Sequence, residues 1–517
     1  MFSIFPIIAG TVAATYILLL TLLRLTQDAA EPPSVNDTFP FITTVLSTLS
    51  KGTRLHRLMR DQYNLPIHTL RLPGSRLYVI NSPALITSAQ SQIQTLSFTA
   101  IQSGIVTNIL GVNKATNEII GRDVTSHGNY LTSFPKYIHP TLIPGPGLDD
   151  MNKRSIQAMA KSLDALVGKG ITTVKLFQWV RHELLLAFTE GVYGPRNPFR
   201  NAEMEQAWYT FEPGFMMFAL NLFPRLFARK SYQAREYMVK IWEGYFETGS
   251  HHQGSEMIKA RVKINEDFQI SLKDTARLEV GGTHGLLSNT LPGTFWTVYH
   301  IFSDPVVLED IRNELSRGVQ SEADGSCTID LTYIKSSCPI LLSTFKETMR
   351  IHSTGTSTRK VLQDHRLDNK YLLKKGSTVM MPSAVQHTNR HVWGDTVDEF
   401  DHKRFVPGAK RVNPVAFRGF GGGSTLCPGR QFASTEILMF SALLVLRFDL
   451  RPVSGRWTAP STANSSMANS LPVPDWDFDV ELRPRDDKDW KISFSGSHME
   501  MEIAAEDIEG AISELSH

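Results

Sequence analysis

The chain has 517 residues, 42% of them hydrophobic, and its 53 Lys and Arg nearly balance 51 Asp and Glu for a net charge of +2. That much apolar mass excludes a small disulfide- or metal-stapled module, and the even charge excludes the basic surface of a nucleic-acid binder. Its 3 cysteines, Cys327, Cys338 and Cys427, contain no Cys-x-x-Cys, which argues against an extracellular disulfide framework and a structural zinc site.

From Phe2 to Leu23 no side chain is charged. About 22 residues at about 1.5 Å each reach roughly 33 Å, enough for a helix to cross a bilayer core. A cleaved signal peptide is the alternative, but no Lys or Arg precedes the run, and the run exceeds a usual signal core. Arg24 follows directly, then Lys51, Arg54, Arg57 and Arg60, so the positive-inside bias leaves the body on the cytosolic face. Pro32, Pro33 and Pro40 stiffen what comes next. The domain plan expected is an anchor at 1–25, a proline-containing linker at 26–49, one catalytic body at 50–494 and an acidic tail at 495–517.

Periodicity predicts helices around 150–168, 172–191, 233–249, 256–270, 304–317, 339–350 and 430–446. Strands are short: Ile67–Leu72, Arg76–Ile80, Tyr371–Leu373, Thr378–Met381 and Phe478–Leu482. The fold class expected is therefore mainly α with small β-sheets (α+β). Phe211 to Pro224 is rich in aromatics and Met. With the break at Pro213-Gly214 and the edge of Arg225, Arg229 and Lys230, it fits a surface dipping into a membrane interface.

Residues 276–303 are apolar almost throughout, which predicts a buried helix kinked where Pro292 denies an N–H to the carbonyl of Ser288. Thr290 stands beside the kink. Before it comes Asn289, an amide that cannot relay a proton as a carboxylate does. Further on, Glu347 and Arg350 share one helix face at i to i+3, and Arg404 lies in Phe400-Asp401-His402-Lys403-Arg404-Phe405.

The most informative stretch is Phe420-Gly421-Gly422-Gly423-Ser424-Thr425-Leu426-Cys427-Pro428-Gly429-Arg430-Gln431-Phe432-Ala433. It lacks the Lys-Ser/Thr pair of a phosphate loop, and Ser424 stands where a dinucleotide fingerprint needs its third glycine. It offers low bulk, then a cysteine, then a helix start. Backbone N–H groups and the helix dipole there favour an anion, which suits a thiolate ligand.

Taken together, these motifs resemble the cytochrome P-450 superfamily, whose heme-binding signature is Phe-x-x-Gly-x-Arg/His-x-Cys-x-Gly. Phe420, Gly423, Cys427 and Gly429 match it, and Thr425 stands where an Arg or His usually meets a heme propionate. The resemblance implies the cytochrome P-450 fold with an N-terminal transmembrane helix. It also implies heme b (iron protoporphyrin IX) on Cys427, with Phe420, Gly423, Thr425, Gly429 and Arg359 as cofactor-binding residues. Glu347, Arg350 and Arg404 would form an ion network, with His402 in place of a usual proline. Thr290 and Asn289 would lie on the oxygen side. No Trp-x-x-x-Arg propionate motif is recognisable before residue 160.

Asn289-Thr290-Leu291-Pro292 followed by Phe295-Trp296 resembles the branch of sterol 7α- and 12α-hydroxylases and prostacyclin synthase, and fungal biosynthetic members. The implied function is a monooxygenase anchored by a single pass in the endoplasmic reticulum membrane, with its catalytic domain cytosolic. It would insert one oxygen atom of O2 into a small apolar substrate, a terpenoid, steroid-like or other polycyclic secondary metabolite. No flavin or nicotinamide fingerprint is present. Electrons would therefore come from NADPH through a separate NADPH-cytochrome P-450 reductase, with cytochrome b5 as a further partner. Two alternatives stay open: an isomerase or dehydratase of the prostacyclin-synthase type that needs no external electrons, and a non-catalytic heme sensor. Thr290 favours the monooxygenase, because the prostacyclin-synthase branch lacks that threonine. Other catalytic patterns are missing: Leu186 spoils a zincin reading of Arg181-His182-Glu183, and no Gly-x-Ser-x-Gly occurs.

Overall fold

Helices carry most of the chain, with small sheets between them, in a computed structural model that describes residues 4–35, 38–409, 412–496, 498–504 and 507. Contacts divide it into two units. One is Met1–Ile101 with Thr354–Val397 and Asn413–Leu426; the other is Gln102–Ser353 with Asp398–Val412 and Cys427–His517.

The first unit is organised by a five-stranded sheet in the order Ile67–Leu72, Ser75–Ile80, Thr378–Pro382, Thr356–Val361, Leu96–Ser97. The first two strands form a hairpin, closed at Gly74, whose φ of 70° an L side chain rarely adopts. Thr378–Pro382 runs parallel to Ser75–Ile80, with Thr378 opposite Leu77, and antiparallel to Thr356–Val361, with Val379 opposite Arg359. Tyr78, Ile80, Val361, Val379 and Met381 pack with Leu85, Ile86 and Ala89 to make its core.

The apolar amino end is a helix, Ile4–Thr26, long and apolar enough from Ile8 to cross a membrane and exposed along nearly all of that stretch. Its carboxyl end is clasped by cations: Arg76 Nη2 donates to the Thr26 carbonyl at 2.6 Å and Arg71 Nη2 to Thr26 Oγ1 at 2.7 Å. Positive charge at a helix C-terminus is favourable. The proline segment that follows is stitched to the sheet rather than hanging free. Thr69 N donates to the Pro33 carbonyl at 2.8 Å, and Val35 N to the Thr69 carbonyl at 3.1 Å. Prolines lack the N–H for an inner strand, but their carbonyls still accept at an edge.

In the second unit every helix expected from periodicity is present, including Pro146–Lys169, Pro305–Ser316, Pro339–His352 and Arg430–Arg447. Most ends shift by up to four residues, and two stretches differ in kind. Thr172–Lys175 is a strand paired with Asp479–Pro484, and the helix begins only at Leu176. Its first N–H groups are met by a distant side chain, with Phe177 N and Gln178 N donating to the two carboxylate oxygens of Asp477 at 2.9 and 2.8 Å. The stretch 276–303 is two helices, Leu272–Leu287 and Thr290–Ser303, broken at Ser288 and Asn289.

The Arg430–Arg447 helix is buried on nearly every side and carries a carboxyl inside, Glu436, at 0% exposure. Its Oε2 is bonded to Ser155 Oγ at 2.5 Å, and its Oε1 has no partner among the described residues. Burial pushes its pKa well above the carboxylate range, so it folds as the neutral acid. The unfolded chain ionises it from about pH 4.5 upward, so stability falls as pH rises past that point. Glu436→Gln should therefore unfold at a higher temperature than the native chain at pH 8. The gain should grow by at most about 1.4 kcal/mol for each pH unit above 4.5, the cost of keeping an acid neutral, and should vanish toward pH 4.5. Thermal melts across pH check it, and a gap that does not change with pH would contradict it.

Candidate active site

In the first unit the loop before the cysteine is shaped by two glycines. Gly421 has φ +84°, and a Cβ there would sit 3.0 Å from the Thr425 carbonyl oxygen; Gly423 has φ +57°, and its Cβ would meet the Gln90 side chain at 2.9 Å. Only glycine closes this turn without strain. Phe420 and Thr425 belong to the same loop. Arg359, 1% exposed in its strand, reaches it: Nη2 donates to Thr425 Oγ1 at 2.8 Å and Nη1 to the Thr358 carbonyl at 2.9 Å. The hydroxyl that replaces the usual cation in the signature is thus itself held by a cation.

A second arginine, Arg418, is 3% exposed in the same unit. Burial, and then the nearby Arg418 charge, lower the Arg359 guanidinium to about 10. Two buried like charges are costly alone and are relieved by an anion. Arg418 was missed by sequence reasoning. Its signal was a basic residue two positions before Phe420, in a loop whose expected Arg or His is Thr425.

In the second unit Cys427 precedes the Arg430–Arg447 helix, with Arg430 N donating to its carbonyl at 3.4 Å and Ala433 N to the Gly429 carbonyl at 2.9 Å. The residue is partly exposed, but its sulfur is desolvated, which pushes the thiol up; the Gly429 N–H and the Arg430 charge pull it back. Gly429 has an ordinary φ of −84°, and a Cβ there would meet nothing within 4 Å. The polypeptide itself does not demand a glycine at this place. Within the second unit, a desolvated thiol with N–H support beside an open glycine fits thiolate ligation of a heme; within the first, two buried arginines fit the acidic side groups of such a cofactor.

The helix break places Thr290 as the first residue of its helix, 8% exposed, with Oγ1 donating to the Leu286 carbonyl at 2.8 Å. Asn289 has an occupation that the sequence did not reveal. Its Oδ1 accepts from Ser470 N at 2.7 Å and Leu471 N at 3.1 Å, tying the break to a distant loop. Trp296 Nε1 strengthens the tie by donating to the Pro472 carbonyl at 2.9 Å.

Glu347 and Arg350 are both fully buried and meet in a two-pronged pair, Nε to Oε2 at 2.7 Å and Nη2 to Oε1 at 2.8 Å. Arg404 Nε adds 3.0 Å and Asp401 N 3.1 Å, both to Glu347 Oε1. Each arginine also donates to the Glu399 carbonyl. His402 pairs instead with Asp310 at 2.8 Å, pinning the same loop to another helix.

Comparison with known proteins agrees with this geometry. The Cytochrome P450 family model matches residues 277–474. The chain is 36% identical over 503 residues to the cytochrome P450 monooxygenase nodJ of Hypoxylon pulicicidum, covering 94% of this chain and 96% of that one. It is 26% identical over 257 residues to the cholesterol 7-alpha-monooxygenase of Cricetulus griseus, covering 45% and 50%. Among solved structures, retinoic acid bound cyanobacterial CYP120A1 superposes with a TM-score of 0.68 at 18% identity, covering 89% of this chain and all of that one, a likeness of fold. With a relative this similar along nearly its whole length, the chain belongs to the cytochrome P450 monooxygenase family.

Proposed function

We propose that the chain is a membrane-anchored monooxygenase that places one atom of O2 into an apolar terpenoid, steroid-like or other polycyclic substrate of secondary metabolism. The second oxygen atom leaves as water, with two electrons and two protons drawn from NADPH and solvent through a separate NADPH-cytochrome P450 reductase, with cytochrome b5 as a further donor. The observation that carries this reading is Cys427, desolvated at the start of a buried helix and supported by the Gly429 N–H. When bound, heme b supplies reductive activation of O2. Cys427 would hold its iron through the thiolate, Arg359 and Arg418 its acidic side groups, and Phe420, Gly423, Thr425 and Gly429 the surface around it.

The rest of the work falls to the protein's own groups. Thr290 carries a hydroxyl that donates and accepts, so it can pass a proton on from water. Asn289 carries no exchangeable acid; it positions the 469–472 loop against the break. The Glu347–Arg350–Arg404 network holds the segment leading to the cysteine loop. Exposed Leu220, Phe223, Leu226 and Phe227 beside Arg225 and Lys230 present an apolar edge ringed by cations, which supports uptake of substrate from lipid. Together with the Ile4–Thr26 helix, this edge supports a single-pass anchor in the endoplasmic reticulum with the catalytic domain cytosolic. The domain plan proposed is an anchor at 1–25, a linker at 26–49 packed on the body, a catalytic domain at 50–494 and an acidic tail.

The test is metabolite profiling of microsomes bearing the chain, with NADPH, reductase and O2 each withheld in turn. Product is expected only when all are present. In Thr290→Ala, NADPH consumption should continue while product falls by about ten-fold or more, the scale of a lost proton-transfer group. Product formed anaerobically without NADPH would overturn the monooxygenase in favour of an isomerase.

A further inference from the structure

The carboxyl end carries no catalytic motif, yet it is held unusually firmly for a terminus. Met501 and Ile503 are 2% and 0% exposed, and Asp507 is 8% exposed. The Gln431 amide clasps the main chain of Met501: Nε2 donates to its carbonyl at 2.9 Å, and its N–H donates back to Oε1 at 3.1 Å. Lys346 Nζ donates to the Glu502 carbonyl at 3.1 Å. Asp507 folds the segment on itself, with Oδ2 accepting from Ile503 N at 3.0 Å and Ala504 N at 2.8 Å. Its Oδ1 accepts from Arg430 Nε at 2.8 Å and Nη2 at 2.5 Å, and Glu500 adds a second carboxylate to Arg430 at 3.3 Å.

The place of attachment matters more than its strength. Arg430 and Gln431 open the helix that follows Cys427, and Arg430 N donates to the Cys427 carbonyl. Three cations meet this strap: Arg430 and Lys346 bond to it directly, and the largely buried Lys335 lies in the field of its Glu500 carboxylate. A surface whose cations are met by carboxylates within the chain matches an acidic protein surface from outside it. An electron donor must come close to the cysteine-ligated centre, because electron transfer weakens steeply with distance.

We propose that Met499–Ala504, together with Asp507, is a releasable strap that occupies, from within the chain, a docking surface for an acidic electron-donor protein beside Cys427. The inference rests on the reductase reading above. Because the strap is tethered, its carboxylates act at high effective concentration, and a partner must displace them before it can bind. The Glu500 carboxylate on Arg430 is half-exposed while Asp507 is buried, so salt weakens the outer of the two Arg430 pairs as well as the partner.

The experiment compares three proteins in membranes: the full chain, a chain ending at Phe494, and a Glu500→Gln/Asp507→Asn double variant. Reductase binding is titrated at low and high salt, and amide hydrogen exchange of the full chain is followed with and without reductase. Reductase should speed exchange at Met501, Ile503 and Ala504 by about ten-fold. Both altered chains should bind it about five-fold more tightly than the full chain at low salt, with the gap narrowing at high salt. Reductase binding that leaves these amides protected overturns the strap, as does equal or weaker binding by both altered chains. Reductase that binds none of the three overturns the electron-donor reading, and the strap with it.

Discussion

Cys427→Ser is expected to lose all measurable monooxygenation, a fall of at least about a thousand-fold, while the chain still folds. An alkoxide is a far poorer match than a thiolate for this site, because a hydroxyl stays protonated where the Cys427 thiol can ionise. The desolvated sulfur faces the Gly429 N–H and the Arg430 charge, both of which favour the anion. Folding should survive, since the turn before the cysteine is set by Gly421 and Gly423, and the helix after it by its own packing. Reduced protein under carbon monoxide should lose the long-wavelength absorption band that a thiolate ligand produces. If Cys427→His kept that band unshifted, the ligand assignment would be wrong.

Glu347→Ala is expected to cost about 3–5 kcal/mol and to leave little folded chain, because it strands a buried cation. Arg350 is fully buried, and its Nε at 2.7 Å and Nη2 at 2.8 Å donate to that one carboxylate. Arg404 and the Asp401 N–H lose the same acceptor. A loss of that size is a large share of a typical folding free energy of about 5–15 kcal/mol. Soluble yield and thermal melts read the effect. Glu347→Gln, which keeps the shape and one acceptor, should be damaged less than the alanine chain. An alanine variant that melts with the native protein would show that the network is not what holds this segment.

Much of the site was legible because its signals are local. The spacing of Glu347 and Arg350 requires only a helix to bring them together, and Cys427-Pro428-Gly429-Arg430 marks a helix start within four residues. Thr290 was legible for a similar reason, since Pro292 removes a hydrogen bond wherever it stands. How completely the helix would part was not legible. The sequence predicted one kinked helix over 276–303, and the structure has two, because the loop at 470–472 supplies outside partners to the break.

Legible from the residues alone were therefore the apolar amino-terminal helix, the helical periodicity of the body and the cysteine loop with its ion-pair motif. Each depends on residues within a few positions of one another. Long-range packing brought Arg418 near enough to Arg359 to depress it, made the Asn289 amide a loop tie, and paired Thr172–Lys175 as a strand with Asp479–Pro484. It also decided that Glu500 and Asp507 close on Arg430 some 70 residues away along the chain. These facts are non-local. A side chain carries its chemistry in its own formula, but its partner is set by where the rest of the chain packs, and no short window of sequence contains that distance.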